Sequence, residues 1–146
     1  MKKSNLSIIG WREWIALPDL KVRKIKAKID SGARTSSLHA HKLKVLKKNN
    51  EEYAQFYIYP QQDSSKEKVL CEEKILEYRK IKSSNGITEK RPIIQTYIKI
   101  NEKLWLVDLS LSNRDEMGFR ILLGRTSISK KFLIDVSKSF LMMKET

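Results

Sequence analysis

The chain has 146 residues, enough for one modest core and too few for two domains. Its 30 Lys and Arg against 17 Asp and Glu give a formal net charge of +13, which favours an acidic partner: a nucleic acid, an anionic surface or a glutamate-rich peptide. The alternative is that the lysines cover solvated strand faces, because net charge bears on association rather than on fold. A single cysteine, Cys71, excludes an internal disulfide, fits a reducing compartment and suits a small buried hydrophobe better than a nucleophile. The apolar stretch after Met1-Lys2-Lys3 is interrupted by Arg12 and Glu13, and nothing approaches the roughly 18 continuous apolar residues of a membrane span. A soluble cytoplasmic protein is therefore expected.

In chain order, residues 6–16 carry Ile8, Ile9, Trp11, Trp14 and Ile15 and predict a first strand or strand pair, turned by Pro18-Asp19. The two tryptophans fit core or dimer-interface packing better than base stacking. Ile25, Ala27 and Ile29 then alternate with Lys24, Lys26 and Lys28, the period of a strand with one buried face. That strand ends at Asp30-Ser31-Gly32-Ala33. A carboxylate is thus displayed at the end of a rigid element, followed by a glycine that lets a second backbone come close; an ordinary strand-end turn uses the same residue types.

Residues 39–48 alternate loosely, and Asn49-Asn50 predicts a hairpin turn into residues 53–59, with Ala54, Phe56 and Ile58 inward. Residues 61–68 are polar and loop-like, while residues 69–81 suit either strands or a short helix. Ser83-Ser84-Asn85-Gly86 between Ile81 and Ile87 is a hairpin signal, since Asn and Gly tolerate positive φ. Ile94, Thr96, Ile98 and Ile100 alternate up to a turn at Asn101-Glu102, after which Trp105, Val107, Leu109 and Leu111 share a face. Ile121-Leu122-Leu123 is a continuous apolar run, as in a strand buried on both sides. Thr126 is placed to cap a helix over residues 127–132, and residues 134–136 and 140–143 predict closing strands. The sum is one all-β domain over residues 1–146, a small closed barrel with one short C-terminal helix, its terminal strands open for pairing with another subunit.

An Asp30-Ser31-Gly32-Ala33 turn followed far downstream by Leu122-Leu123-Gly124-Arg125 resembles the two halves of a retropepsin subunit. Gly10-Trp11-Arg12-Glu13-Trp14, Leu17-Pro18, residues 26–40, residues 82–86, Arg91-Pro92, Asn113-Arg114 and Met117 extend the likeness. Together they resemble the bacterial retropepsin-like aspartic peptidases, a family also labelled ATP-dependent zinc protease. The resemblance runs from about residue 10 to residue 136 and implies an acid-protease barrel, a homodimer and a protein or peptide substrate. It implies that Asp30 is the catalytic acid and base, that Ser31 braces the paired turns, and that Gly32 and Ala33 let them approach. It further implies that Leu123, Gly124 and Arg125 support the turn and that Ser83, Ser84, Asn85 and Gly86 form the flap over substrate. Members of the family often occur beside ATP-grasp ligases that append glutamates to proteins.

The chemistry requires the dimer. Direct attack of water on a peptide needs one group to take the water's proton and another to protonate the carbonyl oxygen, and two carboxyls sharing a proton do both. Two carboxylates about 3 Å apart repel by roughly 5 kcal/mol at an effective dielectric near 20, enough to keep one protonated. One chain offers one such turn, so Asp30 must meet its copy on a twofold axis.

Viral retropepsins carry an acid four residues after the catalytic aspartate, where this chain has Arg34. Arg34 and Arg125 then need other partners, with Asp115, Glu116 and Asp135 as candidates. Arg34, with Arg91, suggests a preference for acidic peptides, because guanidinium pairs bidentately with carboxylate. His39 and His41 share a strand face, but the sequence has no HExxH and no clear third ligand, so no metal is expected. Residues 118–126 lack the lysine of a P-loop and no GxGxxG occurs, so no cofactor is expected. The competing reading is a non-catalytic basic β-barrel that binds an acidic tail, RNA or a ribosomal protein, nucleic acid being the less favoured partner.

Overall fold

A computed structural model describes residues 6–61, 66–82, 85–113 and 118–142. Its strands are β1 (Ser7–Gly10), β2 (Arg12–Leu17), β3 (Val22–Asp30), β4 (Ser36–His39), β5 (His41–Lys48), β6 (Glu51–Ile58), β7 (Val69–Lys74), β8 (Glu77–Lys82), β9 (Thr88–Ile100), β10 (Lys103–Ser112), β11 (Ile121–Gly124) and β12 (Phe132–Asp135). One helical turn, α1 (Arg125–Ile128), and a 3₁₀ turn at Pro18–Leu20 complete the described elements.

The main sheet runs β10-β4-β11-β3-β2-β9-β8, and β9 pairs with β10 as well, which closes the first six into a ring. Its interior is filled by the alternating residues of three strands: Ile25, Ala27 and Ile29 of β3, Ile94, Thr96, Ile98 and Ile100 of β9, and Trp105, Val107, Leu109 and Leu111 of β10, all at most 9% exposed. The predicted all-β barrel is therefore the observed class. Leu123, at 0% exposure, belongs to β11, which lies between β3 and β4 and is covered on both edges.

A second sheet, β5-β6-β7, packs Ala54, Phe56, Ile58 and Cys71 onto the same core. Its hairpin turns at Asn49 and Asn50 with φ of 52° and 66°, the left-handed pair that asparagine tolerates. The undecided residues 69–81 form two strands in different sheets. They part at Ile75 and Leu76, whose amides go to Glu52 O at 2.9 Å and Ile93 O at 2.7 Å, and a change of sheet breaks the two-residue period that would have marked them as strands.

Three expectations need correction. The first and last strands are not open on both edges: β1 and β12 pair in parallel with each other, from Ser7↔Phe132 to Gly10↔Asp135, in a two-stranded sheet. The helix begins at Arg125, with Gly124 as its cap residue, and Phe132 is already in β12. The reason lies in the Asp30 turn, whose carbonyls at Ala33 and Arg34 accept the N–H groups of Arg125 (2.7 Å) and Thr126 (3.2 Å), while Thr126 Oγ1 donates to Arg34 O at 2.7 Å. No strand forms at residues 140–142, Met143 lying outside the described residues. Phe140 turns left-handed (φ 55°) and stacks on Trp14 with ring centroids 5.4 Å apart.

That last segment is held by a residue whose role the sequence did not disclose. Glu13 is fully buried, and its carboxylate accepts the N–H groups of Gly10 (2.7 Å), Leu141 (2.8 Å) and Met142 (3.1 Å). Trp11 N–H to Lys138 O and Phe140 N–H to Arg12 O, both 2.9 Å, finish the clasp. Any side chain at position 10 would collide with Lys138 O, 2.2 Å from where a Cβ would stand.

Candidate functional site

The site is built where β3 ends. Ile29 is buried at 7% exposure, Asp30 is half-buried, and Ser31 and Gly32 are exposed, so the strand delivers its carboxylate from core to surface within two residues. The turn is tight: Ala33 N–H reaches Asp30 O at 3.2 Å, and Gly32 N–H donates to Asp30 Oδ1 at 2.9 Å. This last bond fixes the carboxylate's rotation and leaves its other oxygen available.

Beneath the turn sits the end of β11. Gly124 is the register partner of Asp30, and a Cβ on it would lie 2.8 Å from Ala33 O and 2.9 Å from Arg34 O. Only a glycine lets the turn straddle that strand. Arg125 follows, its Nη1 pointing at the carbonyls of Ser31 (3.5 Å) and Gly32 (3.3 Å). Backbone oxygens of the turn thus face the guanidinium for which the sequence offered carboxylates. Of those candidates, Asp115 and Glu116 lie outside the described residues. Asp135 accepts instead from Ser137 N and Oγ at 3.0 and 2.6 Å, bonds that hold its carboxyl below the ordinary range.

Beside the turn an open groove of about 640 Å³ is lined by Arg34, Thr35, Arg79, Lys80, Ile81, Asp108 and Thr126. Arg79 is clamped across it, donating to Asp108 Oδ2 at 2.8 Å and to Glu77 Oε2 through Nε (2.8 Å) and Nη2 (2.5 Å). Arg34 and Lys80 are exposed. The β8–β9 hairpin that supplies this wall pairs up to Lys82↔Thr88; at its tip Gly86 has φ 87° and Asn85 Oδ1 accepts Ile87 N–H at 3.2 Å. Ser83 and Ser84 lie outside the described residues.

Arg34 and Arg91 are not brought together. Arg91 is 4% exposed, pairs with Glu89 at 2.9 Å, and lines a separate water-sized cavity with Ser37, His39, Ser112 and Arg120. No sequence signal marks Arg79, Lys80 and Asp108, which come from strands far from Asp30 in the chain.

Zinc does not fit the residues present. His39 and His41 have ring centroids 6.1 Å apart, but His39 Nδ1 faces the Arg120 guanidinium at 3.4 Å, where a second cation would be repelled. Among the described residues no three His, Cys, Asp or Glu side chains gather. Cys71 is buried, and desolvation, aided by Glu73, pushes its thiol up to about 12.

A family model for the retropepsin-like aspartic endopeptidase RimB matches residues 8–145. The chain belongs to the RimB-like family. Curated relatives of this RimB-like domain include a protein of Shewanella pealeana, 48% identical over 136 residues (93% of this chain), and one of Desulfotalea psychrophila, 42% identical over 128 residues (88% of this chain). Both are named probable alpha-L-glutamate ligase, and the RimB-like chain spans only 30% and 28% of their lengths. A crystal structure of a Legionella pneumophila protein of unknown function superposes with TM-score 0.76 at 27% identity, covering 94% of this chain and 98% of that one.

Proposed function

We propose that this RimB-like chain is an aspartic endopeptidase that works as a homodimer, each subunit supplying one Asp30. The observation that carries the reading is the presentation of Asp30. It is half-exposed at the end of a strand with one buried face, rotationally fixed by Gly32 N–H and braced from below by Gly124, in a turn whose Arg34 and Thr35 line a 640 Å³ groove.

On the twofold axis the two carboxyls share one proton. The ionised one takes a proton from a bound water as the water oxygen bonds to the scissile carbonyl carbon; the protonated one gives its proton to the carbonyl oxygen. The tetrahedral diol then collapses: the carboxyl that took the water's proton gives it to the amide nitrogen, the other carboxyl takes a proton from a diol hydroxyl, the C–N bond breaks, and acid and amine leave with the shared-proton pair restored. Ser31 braces the two turns, and the β8–β9 hairpin closes over the peptide.

The groove favours an acidic substrate. Arg34 and Lys80 are exposed on its walls, and Arg79 has its charge already shared between Glu77 and Asp108. Arg34 and Lys80 therefore replace the Arg34 and Arg91 pair as the groups that meet side-chain carboxylates. Relatives that carry this domain within a chain named glutamate ligase support a glutamate-bearing protein as substrate. The test compares wild type and Asp30→Asn on a glutamate-rich and a neutral peptide. Asp30-dependent cleavage that is faster on the acidic peptide supports the proposal. Retained acidic-peptide binding with no cleavage by either protein favours a binding module instead.

A further inference from the structure

Three serines to which the sequence alone assigns no role are buried behind the candidate site: Ser36 and Ser110 at 0% exposure and Ser127 at 5%. Ser36 Oγ accepts the Gly124 N–H at 2.9 Å and lies 2.7 Å from Ser127 Oγ, while Ser110 Oγ donates to the Ser36 carbonyl at 3.2 Å. The ladder between β4 and β11 pairs Ile121↔Leu38 and Leu122↔Ser37 and goes no further. Past that point the chain before Ser36 has left the sheet to make the Asp30 turn, so no backbone carbonyl of β4 serves Gly124. The Ser36 hydroxyl takes the place of that missing acceptor.

We infer that Ser36 is a positioning residue for Asp30, acting through the Gly124 backbone. Gly124 is tied on one side to Asp30 by strand register and on the other to the first residue after the turn by the Ser36 hydroxyl. The two ends of the turn are thereby held on one peptide, and the carbonyls of Ala33 and Arg34 rest on its Cα. Without the hydroxyl, a buried N–H loses its acceptor, and the β11 end and the turn above it gain freedom to shift. Displacement of a reacting group by 1 Å costs on the order of 10²-fold in rate. The inference rests on the peptidase reading above.

The experiment measures kcat, KM, the pH dependence of kcat and the melting temperature for wild type, Ser36→Ala, Ser36→Cys and Ser127→Ala dimers on a cleaved peptide. Ser36→Ala is expected to lower kcat by roughly 10- to 100-fold with KM changed less than about threefold, and to displace the pH profile. Ser36→Cys keeps nearly the same volume with a poorer acceptor, and gives the same loss if Ser36→Ala does not fold. Ser127→Ala leaves the bond to Gly124 and keeps kcat near wild type. A lowered melting temperature with unchanged kcat and pH profile in both Ser36 variants would overturn the inference, as would equal kcat losses in Ser36→Ala and Ser127→Ala. If wild type and Asp30→Asn show no difference in hydrolysis, the peptidase reading falls by itself. The NMR titration of the Asp30 carboxyl carbon then decides the positioning role: displaced curves in Ser36→Ala support it, and coincident curves refute it.

Discussion

At the scale of single residues, what matters is which groups are held and which are left free. Asp30 is held by one bond from Gly32 N–H, at 2.9 Å, and Ser31 and Gly32 after it face solvent. Asp30→Asn keeps that acceptor and the side-chain volume. It is expected to leave the melting temperature within about 2 °C, since a substitution that breaks no buried contact stays within roughly ±0.5 kcal/mol. Peptide hydrolysis should fall at least about 10³-fold, within the range carried by positioned acid–base groups; progress curves and a thermal melt on the same preparation check both.

Cys71 is the opposite case, a titratable group with no surface role. Burial pushes its thiol up to about 12, well above the ordinary thiol range, so the folded state holds the proton more tightly. The contribution to stability is complete below pH 9 and is lost as pH rises towards 12. Alkylation at pH 8 should be at least 100-fold slower in the native protein than in urea; equal rates would mean that the thiol is not buried.

Among the elements, the turn at residues 30–35, β11 and the clasp at residues 138–142 depend on one another through backbone contacts. Gly124→Ala would drive a Cβ to 2.8 Å from Ala33 O. It should cost about 1–3 kcal/mol, as overpacking does, and reduce hydrolysis beyond what the lost stability explains; a denaturant melt beside a rate measurement separates the two. Glu13→Gln replaces an acceptor of three amide protons by a group that must donate from one end. The cost should be about 3 kcal/mol, with cleavage after Lys138 in limited proteolysis as the signature of a released clasp.

These same elements mark what could be seen in the sequence. The alternation of β3, β9 and β10 and the asparagine turns at Asn49-Asn50 and Asn101 are local properties, and each was visible because neighbours along the chain set it. Glu13 was not visible, because a glutamate in a strand ordinarily faces water and its three partners come from both ends of the chain. Ser36, Ser110 and Ser127 give no periodic signal, and their meeting depends on β11 inserting between β3 and β4. The groove was hidden for the same reason: Arg34 is local to the Asp30 motif, whereas Arg79 and Lys80 arrive on β8 and Asp108 on β10. The helix start was misplaced because Thr126 bonds to the turn rather than capping its own amides.

For the whole molecule, the charge of +13 acts over distances set by ionic strength. If acidic peptides are drawn to the groove, kcat/KM for a glutamate-rich peptide should fall at least about fivefold between 50 and 500 mM salt, as screening predicts, with a neutral peptide nearly unaffected. Equal salt responses would remove the electrostatic preference and leave hydrolysis intact.

Charge steers; it does not supply the second carboxyl. Under the peptidase proposal that comes from another copy, and among the described residues β1 and β12 form a two-stranded sheet in which each keeps one edge without a strand partner. The most direct measurement is a crystal structure of the dimer in solution-like buffer, read at one distance. The account predicts the two Asp30 carboxyls facing each other across a twofold axis, their nearest oxygens about 3 Å apart, as in carboxyl pairs that share a proton. A stable monomer, or a dimer whose Asp30 side chains lie too far apart to share a proton, would contradict it.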